Sequence, residues 1–160
     1  MTVYDATNYR GRSLLILQQN ARFDNDYFND RVDSLKISGP CDWILYKDNN
    51  FLGTSYLKSP GDYSSLGGVS NVISSARALP PSGTVAILLY QHVDFKGLQL
   101  VLYNSERNLK SLDFNDQISS FIITGGRWTL YQHVDYKGKR ATFGPGGAGG
   151  NDQISSVKRN

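Results

Sequence analysis

The sequence holds few of the residues that disulfide bonding, catalysis or membrane insertion require. Cys41 is the single cysteine among 160 residues, so no disulfide forms within the chain. No apolar run approaches the ~20 residues of a membrane-spanning helix. The first ten residues, MTVYDATNYR, lack the basic and then apolar pattern of a secretory signal, and there is no N-x-S/T glycosylation acceptor. We therefore expect a cytoplasmic protein with no membrane partner.

The charge balance gives little support for nucleic-acid binding. The net charge of +3 comes from 17 basic and 14 acidic side chains, and the basic ones cluster only at 137–140 and 158–159. A phosphate-binding face needs several convergent cations, because affinity rises with the number of phosphates neutralised. We interpret the excess as scattered solubilising charge and expect no nucleic-acid partner.

The chain does contain two repeated segments. YQHVDFKG at 90–97 returns as YQHVDYKG at 131–138, and NDQISS occurs at 115–120 and again at 151–156. Self-similarity at a fixed period indicates a protein built from structural repeats. The repeated residues are rich in oxygen donors and turn formers, and poor in catalytic nucleophiles and bases.

Weaker forms of both segments extend through the first half, which gives the chain four repeats. Each repeat has a hairpin segment, in which an aromatic residue is followed by four residues, a second aromatic, one residue and glycine. Later in each repeat comes a six-residue segment that we call the box. The hairpin segments begin at Tyr4, Tyr46, Tyr90 and Tyr131, and the boxes are NDRVDS (29–34), SNVISS (70–75) and the two copies of NDQISS.

The residues between these segments predict strands rather than helices. Segments 84–91, 98–103, 119–125 and 127–132 are short, β-branched or aromatic, and bounded by Gly, Asn and Asp. Only 105–112 predicts a short helix or 3₁₀ turn. Ten Tyr, seven Phe and sixteen Gly also favour strands joined by tight turns.

A linker divides the four repeats into two pairs. Pro80 and Pro81 lack backbone donors and cannot lie inside a strand ladder, and Ser and Gly follow them. We predict an all-β chain of two domains, each a β-sandwich of two repeats. The predicted domains are 1–79 and 84–160, joined by the linker 80–83, with repeats at 1–40, 41–79, 84–125 and 126–160.

The boxes have the chemistry of hard-cation ligands. NDQISS offers side-chain oxygens at its first, second, fifth and sixth positions, with Ile118 or Ile154 as a core anchor. Calcium takes six to eight oxygen ligands in loose geometry, so two boxes together with backbone carbonyls and water would complete a site. The alternative is a turn in which the Asn, Asp and Ser side chains bond only to local backbone.

The combined pattern resembles the βγ-crystallin superfamily, and in particular its two-domain microbial or invertebrate members. The hairpin segment matches the Greek-key signature of that family in all four repeats, and the box matches its calcium signature, N/D-N/D-x-x-S/T-S, fully in two repeats and partly in two. The resemblance implies two Greek-key motifs per domain, up to two Ca²⁺ ions between them, and a non-enzymatic structural or stress-type role. We also expect a monomer with paired domains, and pairing across a dimer is the alternative that the sequence leaves open.

The resemblance further implies which residues hold the ions, with each site mixing donors from both motifs of a domain. The second box residue gives a side-chain oxygen, the third a backbone carbonyl and the fifth a hydroxyl, and the residue after the first hairpin aromatic gives a second carbonyl. The implied C-terminal sets are the Gln91 carbonyl, Asp116, the Gln153 carbonyl and Ser155, and the Gln132 carbonyl, Asp152, the Gln117 carbonyl and Ser119. Asn115 and Asn151 are expected to brace the loops.

The N-terminal domain departs from this pattern at Asp33, where a hydroxyl belongs, and at Ser70, where the first Asn or Asp belongs. Its implied sets are the Asp5 carbonyl, Asp30, the Val72 carbonyl and Ser74, and the Lys47 carbonyl, Asn71, the Arg31 carbonyl and Asp33. The second of these sets is the altered one. We predict a full pair of sites in 84–160 and a weaker or single site in 1–79.

Two other classes of function have weaker support in the sequence. His92 and His133 each precede an Asp by two residues, but both lie in a hairpin turn without a third partner, and GPGGAGG (144–150) lacks the Lys-Ser/Thr of a phosphate loop. We therefore expect no enzyme activity. A Ca²⁺-dependent module that binds a glycan or a protein is the alternative, although Trp43 and Trp128 each precede a hairpin tyrosine by three residues, which favours core positions.

Overall fold

The computed structural model describes residues 1–146, 148–149 and 153–160, and consists of short strands and 3₁₀ turns. It divides into two compact units, Met1–Pro81 and Ser82–Asn160, which we call the N-terminal and C-terminal units. The division falls within the predicted linker 80–83. No helix among the described residues is long and apolar enough to cross a membrane.

Eight strands form two four-stranded sheets in the N-terminal unit. They are β1 (Thr2–Ala6), β2 (Arg10–Leu15), β3 (Gln19–Asn20), β4 (Ser34–Ile37), β5 (Trp43–Asp48), β6 (Leu52–Lys58), β7 (Gly61–Tyr63) and β8 (Ser75–Ala78). The sheet orders are β2-β1-β4-β7 and β3-β8-β5-β6, and neighbouring strands run antiparallel. Strand β3 of the first repeat pairs in the second repeat's sheet, and β7 of the second repeat pairs in the first repeat's sheet. This exchange is the Greek-key crossing that the resemblance implied.

The C-terminal unit repeats this plan. Its described strands are β9 (Ile87–His92), β10 (Lys96–Leu102), β11 (Ser120–Ile123), β12 (Trp128–His133), β13 (Lys137–Phe143), β14 (Ala148–Gly149) and β15 (Ser156–Arg159). The sheet orders are β10-β9-β11-β14 and β13-β12-β15. An isolated bridge from Glu106 to Val157 stands where β3 pairs with β8 in the N-terminal unit. The all-β, two-domain Greek-key prediction is confirmed.

Each unit buries one core between its two sheets. In the N-terminal unit, Val3 and Leu35 from one sheet cluster with Trp43 and Leu45 from the other. The corresponding cluster of the C-terminal unit includes Trp128, which is fully buried. Both tryptophans therefore occupy the core positions that their spacing predicts.

Seven 3₁₀ turns occur among the described residues: Thr7–Tyr9, Phe23–Asp26, Asn49–Phe51, Gly67–Val69, Val93–Phe95, Leu109–Leu112 and Val134–Tyr136. The turn at Leu109–Leu112 lies in the segment where a short helix or 3₁₀ turn is predicted. Four of the others form the tips of the repeated hairpins, where the sequence pattern alone indicates only a tight turn.

The repeated hairpins fold back on themselves, and their two aromatic rings stack edge to face or tilted. Ring centroids are 5.8 Å apart for Tyr4 and Tyr9 and 5.6 Å apart for Tyr131 and Tyr136. The hairpin glycine has positive φ in all four repeats, as predicted, with +80° at Gly138. The second aromatic also has positive φ, which a bulky side chain rarely adopts, so its packing against the first ring must offset that strain.

Candidate metal sites

The second residue of each described box lies in the left-handed region of backbone space. Its φ is +51° at Asp30, +58° at Asn71 and +52° at Asp116. Asn and Asp tolerate this conformation better than other side chains with a β-carbon. The backbone therefore accounts for the residue type at this position in part, whether or not a metal binds.

The fifth residue of one box meets the second residue of the other. The Ser74 hydroxyl donates to Oδ1 of Asp30 over 3.2 Å, and the Ser155 hydroxyl donates to Oδ1 of Asp116 over 3.3 Å. The partners are 44 and 39 residues apart and come from different repeats. These are the two side-chain pairs that the implied ligand sets join, and both serines are buried.

The first box residue braces this carboxylate from its other side. The Asn29 amide donates to Oδ2 of Asp30 over 2.9 Å, and the Asn115 amide donates to Oδ2 of Asp116 over 2.5 Å. The bracing role expected of Asn115 is therefore present. The carboxylate is held in one orientation by a neighbour in its own box and by a serine from the partner repeat.

The altered site of the N-terminal unit also brings its two side chains together. The Asn71 amide donates to Oδ1 of Asp33 over 3.1 Å. Here the carboxylate comes from the fifth box position and the amide from the second. For both groups to face a cation, the Asn71 side chain must turn its oxygen toward the ion and give up this hydrogen bond.

Only part of the fourth implied set falls within the described residues. Asp152 and Asn151 lie outside them, so the pair that Asp152 would form with Ser119 stays a prediction. Ser119 lies beside its own hairpin, because its backbone N–H donates to the Tyr90 carbonyl over 3.0 Å. The amide of Gln91 donates to Oε1 of Gln117 over 3.5 Å on the same side of the unit.

Strand register corrects the expected grouping of the hairpin carbonyls. Ser155 bonds through its N–H to the Tyr131 carbonyl over 3.0 Å, and the Gln132 amide donates to Oε1 of Gln153 over 3.3 Å. The implied sets had instead joined Gln91 to Ser155 and Gln132 to Ser119. The end of each box pairs with the first strand of its own repeat, as Tyr131 opposite Ser156 illustrates, so each hairpin lies beside its own fifth box residue.

The hairpin carbonyls of the N-terminal unit are regrouped in the same way. The Ser74 N–H donates to the Tyr46 carbonyl over 2.9 Å, and the Asp33 N–H donates to the Tyr4 carbonyl over 2.9 Å. Lys47 therefore lies on the side of Ser74, and Asp5 on the side of Asp33. The other implied backbone ligands stay predictions in their original sets. They are the carbonyls of Val72, Arg31, Gln117 and Gln153.

The sixth box residue has a structural role that the sequence alone does not reveal. In every repeat its serine hydroxyl donates to a hairpin carbonyl over 2.6 Å and accepts the N–H of the second hairpin aromatic. Ser156, for example, donates to His133 and accepts from Tyr136. All four serines are buried. The invariant final serine of the four boxes is the available sequence signal for this role.

The described part of the chain has no cluster of the side chains that commonly hold a metal ion. No group of three or more His, Cys, Asp or Glu side chains converges there. His92 and His133 are exposed and cover the hairpin glycines, where an added β-carbon at Gly97 or Gly138 would lie 2.7 or 2.6 Å from the ring. Arg12 donates to the Asp5 carboxylate and lowers its pKa, so that carboxylate is already paired with a cation.

Comparison with known proteins identifies the family. The Beta/Gamma crystallin family model matches residues 1–79 and 86–159. The chain belongs to the beta/gamma crystallin family. Geodin, a beta-gamma crystallin from Geodia cydonium, superposes with a TM-score of 0.73 over 99% of this chain and 98% of its own, and at 23% identity the likeness shows the fold alone.

Curated relatives include proteins of very different length. Gamma-crystallin F of Bos taurus is 27% identical over 149 residues, which cover 91% of this chain and 84% of the relative. The epidermal differentiation-specific protein of Cynops pyrrhogaster is 33% identical over 131 residues, 81% of this chain. The chain spans only 38% of that relative, and 7% of the human beta/gamma crystallin domain-containing protein 1, to which it is 28% identical.

Proposed function

We propose that this beta/gamma crystallin is a calcium-binding, non-enzymatic structural protein, in which Ca²⁺ between paired Greek-key motifs stabilises the fold. The observation that supports the proposal most is the crossed pairing of Asp30 with Ser74 and of Asp116 with Ser155, each across two repeats. Oxygens of this type suit a hard divalent cation. A role as a local turn does not require a carboxylate to meet a hydroxyl from another repeat.

The donor set predicts weak binding. Each intact set has one formal carboxylate among neutral hydroxyl and carbonyl oxygens, and low ligand charge corresponds to dissociation constants of roughly 10⁻⁶ to 10⁻³ M. The altered set, with Asp33 and Asn71, also has one carboxylate, but its amide must reorient. We therefore rank the C-terminal unit above the N-terminal unit in calcium affinity.

Stabilisation follows from mass action. A ligand that binds only the folded state, at a hundredfold excess over its Kd, raises the unfolding free energy by about 2.7 kcal/mol. For a unit of this size that corresponds to a rise in Tm of roughly 10 °C or more. Because Ca²⁺ bridges two repeats, we expect the effect on the whole unit rather than on one hairpin.

Thermal unfolding of the full chain in Ca²⁺, in Mg²⁺ and in EGTA tests the proposal. We expect Ca²⁺ to raise the Tm and Mg²⁺ to have little effect, because Mg²⁺ demands near-ideal octahedral geometry and gives up its water reluctantly. Asp116→Ala is expected to remove much of the shift in the C-terminal unit. Equal melting curves in Ca²⁺ and EGTA would refute the proposal, and the boxes would then act only as turns.

A further inference from the structure

The segment that leads into the box is unusually short and small in the fourth repeat. In the first three repeats it spans 16–28, 59–69 and 103–114, and each of these inserts a large buried side chain, such as Phe23, Leu66 or Leu109. In the fourth repeat it is GPGGAGG, 144–150, with no side chain larger than proline.

Strand register shows which residues are missing. In the N-terminal unit β4 pairs with β7, and Leu35 lies opposite Tyr63; in the C-terminal unit β11 pairs with β14, and Phe121 lies opposite Gly149. After Tyr63 the chain adds Leu66 and Val69, which pack on the core, before the box begins. After Gly149 a single residue precedes the box, so no counterpart of these side chains exists.

The C-terminal unit has a cavity that is lined in part by Phe143 and Ile154. Its volume is about 250 Å³, and its apolar lining includes Phe121, Leu130, Phe143 and Ile154. Phe121 and Phe143 form one wall, with ring centroids 4.9 Å apart. It is partly open to solvent, and its volume leaves room for a six-membered ring on a short chain.

The rim of the cavity carries positive charge. Lys139 and Arg140 on β13 line it and are exposed, and neither forms an ion pair with an acidic side chain in the part of the chain that the structure describes. Ligand sites typically combine an apolar interior with a few polar groups that fix orientation. Lys139 shares the face of β13 that carries Ala141 and Phe143, whereas Arg140, opposite Tyr131, belongs to the other face, so Lys139 is the cation placed to meet a ligand in the cavity.

We propose that this cavity binds a small amphipathic carboxylate, with its ring or short alkyl group among Phe121, Leu130 and Phe143 and its carboxylate at Lys139. In the N-terminal unit Tyr56, opposite Leu45, stands at the position of Ala141, opposite Leu130, and packs on the core. Gln132 and Gln153, whose carbonyls belong to the implied calcium sets, also line the cavity, but binding of the carboxylate itself needs no metal ion.

The test is an NMR titration of the ¹⁵N-labelled full chain with 3-phenylpropionate, in EGTA so that calcium cannot bind the carboxylate. We expect saturable shifts confined to the amides around Phe121, Leu130, Ala141 and Ile154, with a Kd of roughly 1 mM, as the small size of the probe implies. The neutral analogue 3-phenylpropan-1-ol is expected to bind at least fivefold more weakly.

Two variants test the apolar interior of the cavity and the positive charge at its edge separately. Ala141→Leu, at an exposed lining position, is expected to fill the cavity and abolish the shifts while the spectrum stays that of a folded protein. Lys139→Ala is expected to weaken binding of the carboxylate to the level of the alcohol and to leave binding of the alcohol unchanged. Shifts that do not saturate by 20 mM, or that persist in Ala141→Leu, would overturn the site, and equal affinity for acid and alcohol would overturn the ligand class.

Discussion

Replacing Ser156 with alanine is expected to destabilise the C-terminal unit without removing the calcium binding that we propose for it. The hydroxyl is fully buried, donates to the His133 carbonyl over 2.6 Å and accepts the Tyr136 N–H over 3.2 Å. Alanine leaves two backbone groups without these partners. Since a lost buried hydrogen bond costs about 1–3 kcal/mol, and the two share one oxygen, we expect a loss of about 2–3 kcal/mol.

The neighbouring residue provides a matched control. The Ser155 hydroxyl meets only the Asp116 carboxylate among the described residues, so Ser155→Ala is expected to cost less than about 1 kcal/mol in EGTA but to weaken calcium binding. The two substitutions remove the same atom from adjacent buried serines. They therefore distinguish a hydroxyl that closes a hairpin from one that is available to a metal.

Urea unfolding in EGTA measures the difference. In a Trp43→Phe background, Trp128 fluorescence reports on the C-terminal unit alone, because each unit has one buried tryptophan. If the unfolding free energy falls by about 1 kcal/mol per M of urea, Ser156→Ala is expected to lower the urea midpoint of unfolding by roughly 2 M. A shift below 0.5 M, or an equal shift for Ser155→Ala, would refute the assigned roles.

Three further predictions concern the hairpins. Gly138→Ala is expected to destabilise the C-terminal unit by about 2 kcal/mol in urea unfolding, because φ is +80° and the added carbon lies 2.6 Å from the His133 ring; an unchanged midpoint would contradict this. Lys36→Met is expected to lower the unfolding free energy by about 0.5–1 kcal/mol, because the Lys36 Nζ lies 4.2 Å from the centre of the Tyr9 ring. Asp62→Asn breaks only the exposed ion pair with Lys36 and should lower it by less. Burial raises the pKa of Tyr46 to about 12, and the unfolded chain releases this proton near pH 10. The contribution of Tyr46 to the unfolding free energy is therefore full below pH 10 and falls by about 2–3 kcal/mol as the pH rises toward 12. Urea unfolding at each pH measures this decline, and Tyr46→Phe should abolish it.

Local chemistry made much of the fold predictable. Two aromatics at fixed spacing before a glycine define the hairpin, because only glycine adopts positive φ freely and the rings can pack across the turn. Prolines at 80 and 81 mark the division between the units. The pairing of Asp116 with Ser155 was also anticipated, from the family resemblance rather than from the residues alone.

Other features depend on register and packing, which single residues do not encode. The hairpin carbonyls were grouped with the wrong hydroxyls because their position follows from how β12 pairs with β15. The closing role of Ser156 appears only when its distances to two backbone groups are known. The cavity at Phe121 reflects side chains that the fourth repeat lacks, and its volume depends on how the remaining ones pack.

Calcium titration calorimetry on the full chain and on Asp116→Ala tests the central claim most directly. If the crossed pairs are metal sites, the wild type binds more than one ion with Kd between roughly 10⁻⁶ and 10⁻³ M, and Asp116→Ala loses one of them. The Asp113→Ala variant, three residues away and outside the box, is the control and is expected to keep the wild-type stoichiometry. No heat of binding from the wild type, or an unchanged isotherm for Asp116→Ala, would contradict the account.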